Sequence, residues 1–204
     1  MFITFEGGEG SGKTTAIKAL ASLLKKQGYK VVLTREPGGP KISEDIRNII
    51  LDKKNTKMDK RTEALLYAAS RRQHLIETVW PNLKKGAIVI CDRYLDSSLA
   101  YQGGARNIGI GNVLKMNEFA TEGTFPDITF LFDLDPKIGL ERINKNKNRE
   151  VNRLDLEQLT FHKKVRKYFL LLAKKYPKRI IIIDASKSPS EIVKQINQEI
   201  IKRI

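Results

Sequence analysis

At 204 residues the chain suits one α/β domain with a substantial core and a small mobile insertion, with little room for a second domain. No apolar run reaches the roughly 20 residues that span a bilayer, and the amino terminus lacks the pattern of a secretory signal, so a soluble cytoplasmic protein without membrane attachment is expected. The net charge of +15 raises the question of nucleic acid, but it is uneven, since residues 137–204 carry 18 lysines and arginines against 7 acids.

Residues 2–5 read as a short buried strand, and residues 15–27, with apolar Ile17, Leu20, Leu23 and Leu24, read as the helix that follows. Between them residues 7–14, GGEGSGKT, fit G-x-x-x-x-G-K-[ST], the loop whose backbone N–H groups wrap a nucleotide's phosphates. Strand, loop and helix are the context this motif requires. The candidate ATP-binding residues are Gly7, Gly8, Glu9, Gly10, Ser11, Gly12, Lys13, Thr14 and Thr15. Glycines permit the tight turn, the helix N-terminus attracts negative charge, Lys13 reaches the outer phosphates and the Thr14 hydroxyl ligates Mg²⁺. A glycine-rich turn that binds nothing is the competing reading, and the flanks count against it. Glu9 is the odd residue in the loop, because a carboxylate about 4 Å from a phosphate charge costs about 4 kcal/mol at an effective dielectric of 20. It is expected to point away from the phosphates, toward an acceptor sugar or simply into solvent.

Further apolar runs at 31–33, 87–91, 128–133 and 180–183 complete five strands, separated by segments of helical periodicity. Strands of this kind, alternating with helices, predict a parallel sheet covered on both faces, with ligands at the carboxyl ends of the strands. Residues 43–51 and 61–83 read as helices, the second stopping near Trp80-Pro81 or resuming just after it. Cys91 is the only cysteine, so no disulfide or cysteine zinc site is possible within one chain, and a buried thiol is expected. Asp92-Arg93-Tyr94 follows the third strand. Asp92 is placed to hold Mg²⁺ through water and Arg93 to bridge donor and acceptor phosphates, against the plainer reading of an Asp–Arg pair that ends a strand. Arg35, Arg47, Arg71 and Arg93 are more cations than one triphosphate needs. They point to an acceptor with its own phosphate, hence to a nucleoside monophosphate kinase rather than to hydrolysis.

Residues 92–103, DRYLDSSLAYQG, combine hydroxyls, an amide and tyrosines suited to reading a base edge. Residues 103–111 look like a loop. Residues 137–149 read as a short helix running into a polar break, a mobile lid at about 143–153. A long helix is expected from about 155 to 176, ended by Pro177, with Lys163, Lys164, Arg166, Lys167, Lys174 and Lys175 on a solvated face. With no zinc finger, aromatic RNA-binding signature or basic heptad region, no nucleic-acid partner is expected.

With GGEGSGKT, REPGG at 35–39, EALLYAASRRQH at 63–74, DRYLDSSLAYQG and NRLD at 152–155 in this order, the chain closely resembles bacterial thymidylate kinases along nearly its whole length. The resemblance implies a P-loop NTPase fold, transfer of a phosphoryl group from ATP to dTMP with Mg²⁺, and a homodimer. It implies catalytic roles for Lys13 and Arg93, metal binding at Thr14 and Asp92, and a dTMP phosphate held by Arg47 and Arg71 with Arg93 alongside. Tyr67 would stack on thymine, Ser98 and Gln102 would read its edge, and Glu9 would lie near the 3′-hydroxyl. Bacterial members like this one lack an arginine in the phosphate loop, which makes Arg149 and Arg153 the catalytic lid cations. Kinases for another nucleoside monophosphate or a deoxynucleoside, and a nucleic-acid-linked P-loop ATPase, are the alternatives. The chain departs from common family residues at Pro40-Lys41, Ser70 and Asn152, so roles tied to those positions do not carry over.

Overall fold

The computed structural model describes residues 1–145 and 153–204. Five strands, β1 (Phe2–Gly7), β2 (Val31–Arg35), β3 (Ile88–Asp92), β4 (Ile128–Asp133) and β5 (Ile180–Asp184), form one sheet in the order β2-β3-β1-β4-β5. Every pairing is parallel. The strand that feeds the phosphate loop is therefore central, and the loop leaves the sheet at its carboxyl edge, where open α/β sheets bind ligands.

Strand alternation sorts the core into two layers even though both faces are covered. Phe2, Val89 and Leu131 join Leu75, Tyr94, Leu99, Val165 and Phe169 on one side. Ile3, Phe5, Ile90 and Phe130 join Leu20, Leu24, Ile192 and Ile196 on the other. The second layer is roofed by α1 (Lys13–Lys26) and α9 (Pro189–Ile201). Helix α9 starts with a capping box in which Ser188 and Glu191 satisfy each other's backbone N–H groups, with Pro189 in the first turn.

The first layer is covered mainly by α3 (Lys60–His74), the short α5 (Leu95–Ser98), a π-helical segment Leu99–Ala105 and α8 (Leu159–Lys175). Asp59 caps α3 by accepting from the N–H groups of Arg61 and Thr62 at 2.8 and 3.2 Å. The helix expected over 61–83 is α3, a π turn at Leu75–Val79 and α4 (Trp80–Lys84), and Pro81 is tolerated because it falls in the first turn of α4. A 3₁₀ turn, Arg153–Leu156, precedes α8, whose Lys163, Lys164, Lys167, Lys174 and Lys175 are exposed. Helix α2 (Lys41–Leu51) packs on α3, and α6 (Ile110–Thr121) packs on both α3 and the π segment.

The loop expected over 103–111 is a correction. Only residues 106–109 are loop, and the glycines before them serve close packing rather than a turn. A Cβ on Gly104 would lie 2.3 Å from the Tyr168 ring, and one on Gly103 would lie 3.1 Å from Ile110 Cα. Helix α7 (Pro136–Lys145) leads into the expected lid, most of which, with Arg149 and Asn152, lies outside the described residues.

Candidate active site

The sequence GGEGSGKT folds as its glycines require. Gly10 and Gly12 have φ of 67° and 88°, and Gly12 precedes α1 with no side-chain cap, which leaves the first N–H groups of that helix for an anion. Gly10 has a second duty. A Cβ there would lie 2.2 Å from the carbonyl oxygen of Gly139 in α7, and a Cβ on Gly139 would lie 2.2 Å from that of Glu9. Two glycines thus let α7 press directly on the phosphate loop.

Lys13 is buried, and its Nζ donates to the carbonyl oxygens of Gly7 and Gly8 at 3.2 and 3.0 Å and to Ser11 Oγ at 3.3 Å. Burial, with the charge of Arg93, pushes its ammonium down to about 8. At the mouth of the loop Thr14 Oγ1 donates to Asp92 Oδ2 at 3.1 Å. A hydroxyl and a carboxylate side by side are hard oxygen donors that suit Mg²⁺, which is usually held by one or two protein groups together with substrate phosphates and water. Among the described residues no cluster of three or more His, Cys, Asp or Glu is arranged to hold a metal by itself.

Arg93 adopts a φ of 69°, uncommon for a residue with a side chain. Its Nη1 donates to the Gly7 carbonyl oxygen at 3.0 Å and to Ser97 Oγ at 3.2 Å, and its Nη2 donates to Glu9 Oε1 at 2.5 Å. Glu9 also accepts from the Tyr101 hydroxyl at 3.1 Å, so its carboxylate is turned toward the strand β3 side of the cleft. Beneath Arg93, Glu6 accepts from the N–H groups of Tyr94 and Ser97 at 2.8 and 3.1 Å and from Ser97 Oγ at 2.5 Å. Burial and the neighbouring charge of Asp96 push the Glu6 carboxyl up to about 7.

The other end of the cleft is built on α3. Arg71, 1% exposed, donates from Nε to Glu36 Oε2 at 2.8 Å and from Nη1 to Ser98 Oγ at 3.1 Å, and it also meets Asn117 Oδ1. Glu36 is shared with His74 Nδ1 at 2.9 Å, so one buried carboxylate fixes the guanidinium against α3. Gln102 Nε2 donates to Glu63 Oε1 at 2.8 Å. Arg47 Nη1 donates to the Pro37 carbonyl oxygen at 2.8 Å.

Most of the polar groups above line one cleft of about 450 Å³, with Glu6, Glu63, His74 and Asn117 behind its walls. It brings together Glu9, Gly10, Ser11, Gly12, Lys13, Thr14, Thr15, Asp92 and Arg93 with Arg47, Tyr67, Arg71, Ser98 and Gln102. Gly7 and Gly8, at the start of the loop, line a small second cavity instead. Arg153 does not join the phosphate end: its Nε donates to the Ile50 carbonyl oxygen at 3.0 Å and its Nη2 meets Glu63. Arg149 lies outside the described residues. Instead it is Arg142 of α7 that lines the cleft, a residue not singled out in the sequence. Glu6, Glu36, Glu63 and Tyr101 were also missed as site residues. Glu36 and Glu63 stand inside the quoted segments REPGG and EALLYAASRRQH, but neither segment reveals which partner a carboxylate finds in space.

Residues 5–196 match the sequence profile described as Thymidylate kinase. The chain belongs to the thymidylate kinase family. A family member from Geobacillus sp. (strain WCH70) is 60% identical over 191 residues, covering 94% of this chain and 91% of the relative. One from Clostridium novyi (strain NT) is 56% identical over 195 residues, 96% and 95% of the two chains. The crystal structure of thymidylate kinase from Ehrlichia chaffeensis superposes with a TM-score of 0.79 at 34% identity and covers 98% of both chains. That structure thus shares its fold with this chain over essentially the whole length.

Proposed function

We propose that this chain transfers the γ-phosphoryl group of ATP to dTMP, releasing ADP and dTDP for dTTP synthesis. The observation that carries the reading is that one cleft is lined both by the phosphate loop and by Tyr67, Ser98 and Gln102, an aromatic and two polar groups suited to a base. Family membership supports the same substrates.

In the reaction a phosphate oxygen of dTMP attacks the γ-phosphorus as the bond to the β-phosphate oxygen breaks. Open N–H groups of the loop and of α1 would hold the ATP phosphates, and Lys13 would leave the Gly7 and Gly8 carbonyls to meet them. Mg²⁺, held by Thr14 and Asp92, would neutralise phosphate charge when bound. Arg93 stands between the ends of the cleft, where a forked cation can bridge donor and acceptor. Arg47 would hold the dTMP phosphate. The hydrogen bond from Arg71 to Ser98 supports placing Arg71 at the base edge with Ser98 and Gln102, rather than at the phosphate. Tyr67 would stack on the base and Glu9 would meet the sugar. Arg149 and Arg153 remain candidates for lid cations, and Arg142 joins them from α7.

The same reading makes residues 1–204 one catalytic unit with a lid at about 143–153, working in the cytoplasm as a homodimer without nucleic acid. Among the described residues no helix is long and apolar enough to cross a membrane. Exposed Ile42 and Ile49 on α2, Leu65 on α3 and Phe119 on α6 support a second copy as the cover for those helices. The deciding assay is ADP release with dTMP, dUMP, dAMP, dGMP and dCMP as acceptors. dTMP should be the preferred acceptor. Preference for a purine, or turnover that needs DNA or RNA and ignores dTMP, would overturn the reading.

A further inference from the structure

Glu63 lies in the first turn of α3, 1% exposed. Its Oε1 accepts from Gln102 Nε2 at 2.8 Å and from Arg106 Nε at 3.4 Å. Its Oε2 accepts from Arg106 Nη2 at 3.4 Å and meets Arg153 Nη2. Arg106 is itself anchored, by Glu157 at 2.6 Å and by the Phe161 ring, whose centroid lies 4.6 Å from its guanidinium carbon. Burial alone would push the Glu63 carboxyl up, but the hydrogen bond from Gln102 and the charges of Arg106 and Arg153 win and hold it below the usual carboxylate range.

An ionised carboxylate only accepts hydrogen bonds. Gln102 must therefore turn its NH₂ group toward Glu63, and its Oε1 becomes the acceptor it can offer to the cleft that it lines. Flipping the amide would set a carbonyl oxygen against a buried carboxylate oxygen. Without Glu63 the flip would cost little, because the two ends of an amide have nearly the same shape.

We propose that Glu63 is a specificity-determining positioning residue, which locks the Gln102 amide with its oxygen toward the acceptor base. This rests on the dTMP reading above. A fixed acceptor suits thymine, whose N3 carries a proton, and rejects cytosine, whose N3 is itself an acceptor. A freely turning amide would serve both bases, so the discrimination resides in the carboxylate behind Gln102 as much as in Gln102. Arg106, anchored by Glu157, keeps that carboxylate charged and in place.

The test is Glu63→Gln, close in shape but able to meet Gln102 in either orientation. The ratio of kcat/KM for dTMP over dCMP should fall about tenfold to a hundredfold, mainly through a gain with dCMP. If both acceptors lose activity together and the ratio holds, Glu63 is structural and the proposal falls. The unaltered chain is assayed alongside, and its failure to use dTMP would sink the functional reading instead. Should the variant not fold, nuclear magnetic resonance of the unaltered protein decides. The Gln102 side-chain amide, assigned by its absence in Gln102→Met, should exchange with solvent far more slowly than an exposed glutamine. Exchange as fast as that of an exposed glutamine would overturn the lock.

Discussion

Lys13 is a buried cation that donates to the carbonyl oxygens of Gly7 and Gly8, in a site that burial and Arg93 make costly for it. Its ammonium titrates near 8 in the fold against 10.5 in an unfolded chain, so between these values the unfolded chain binds more protons. Stability therefore rises as pH climbs from about 8 to 10.5, and the penalty of the buried cation is fully present below 8. Lys13→Met keeps the length and removes the charge. It should cut phosphoryl transfer about a thousandfold or more, without lowering the melting temperature at pH 7 and with any gain shrinking toward pH 10.5. Thermal melts across that range, beside a turnover assay, check both halves, and full activity in the variant would remove Lys13 from the mechanism. This residue was legible in the sequence because strand, loop and helix are contiguous there. Glu36, Glu63 and Tyr101 were not, since each acquires its partner from more than 20 residues away.

The same division holds between elements. The five strands were legible as short apolar runs, and α1, α2 and α3 as periodic segments, because burial imposes its period locally. The segment at 103–111 was misread, because glycine marks both a turn and a close approach, and only the neighbours distinguish them. Gly139 is the case with consequences for function. In α7 it looks like a helix-weakening residue, yet it allows the helix to touch the loop at Glu9 and Gly10. Gly139→Ala should push α7 off the loop, since a Cβ 2.2 Å from the Glu9 carbonyl oxygen meets backbone that has no room to yield. Overpacking of this kind costs about 1–3 kcal/mol. KM for ATP should rise about tenfold and KM for dTMP by a smaller factor, because Gly139 presses on the loop backbone while the Glu9 carboxylate is held on the acceptor side by Arg93 and Tyr101. Steady-state kinetics with each substrate varied in turn would show it, and an unchanged KM for ATP would mean that the α7 contact does not shape the loop.

Across the molecule the acceptor end depends on α3, which carries Tyr67 and Arg71 and is flanked by α2 and α6. On the core side its Arg71 and His74 are held by buried Glu36, and on its other flanks apolar side chains reach solvent. Phe119 of α6 is 90% exposed, Leu65 of α3 58% and Ile49 of α2 50%. Scattered exposed apolar residues are ordinary, but a phenylalanine this exposed on one of three adjoining helices fits a two-fold interface, where each residue is covered by its counterpart region in the other copy. The unaltered chain should sediment at twice 23.2 kDa at micromolar concentration. Phe119→Asp puts a charge where the interface would be dry, so the variant should sediment at the mass of one chain. Because α3 would lose its outer support, KM for dTMP should rise about tenfold or more in that variant, with KM for ATP changed much less. A monomeric unaltered chain, or a variant that stays dimeric, would show that these helices are not the interface.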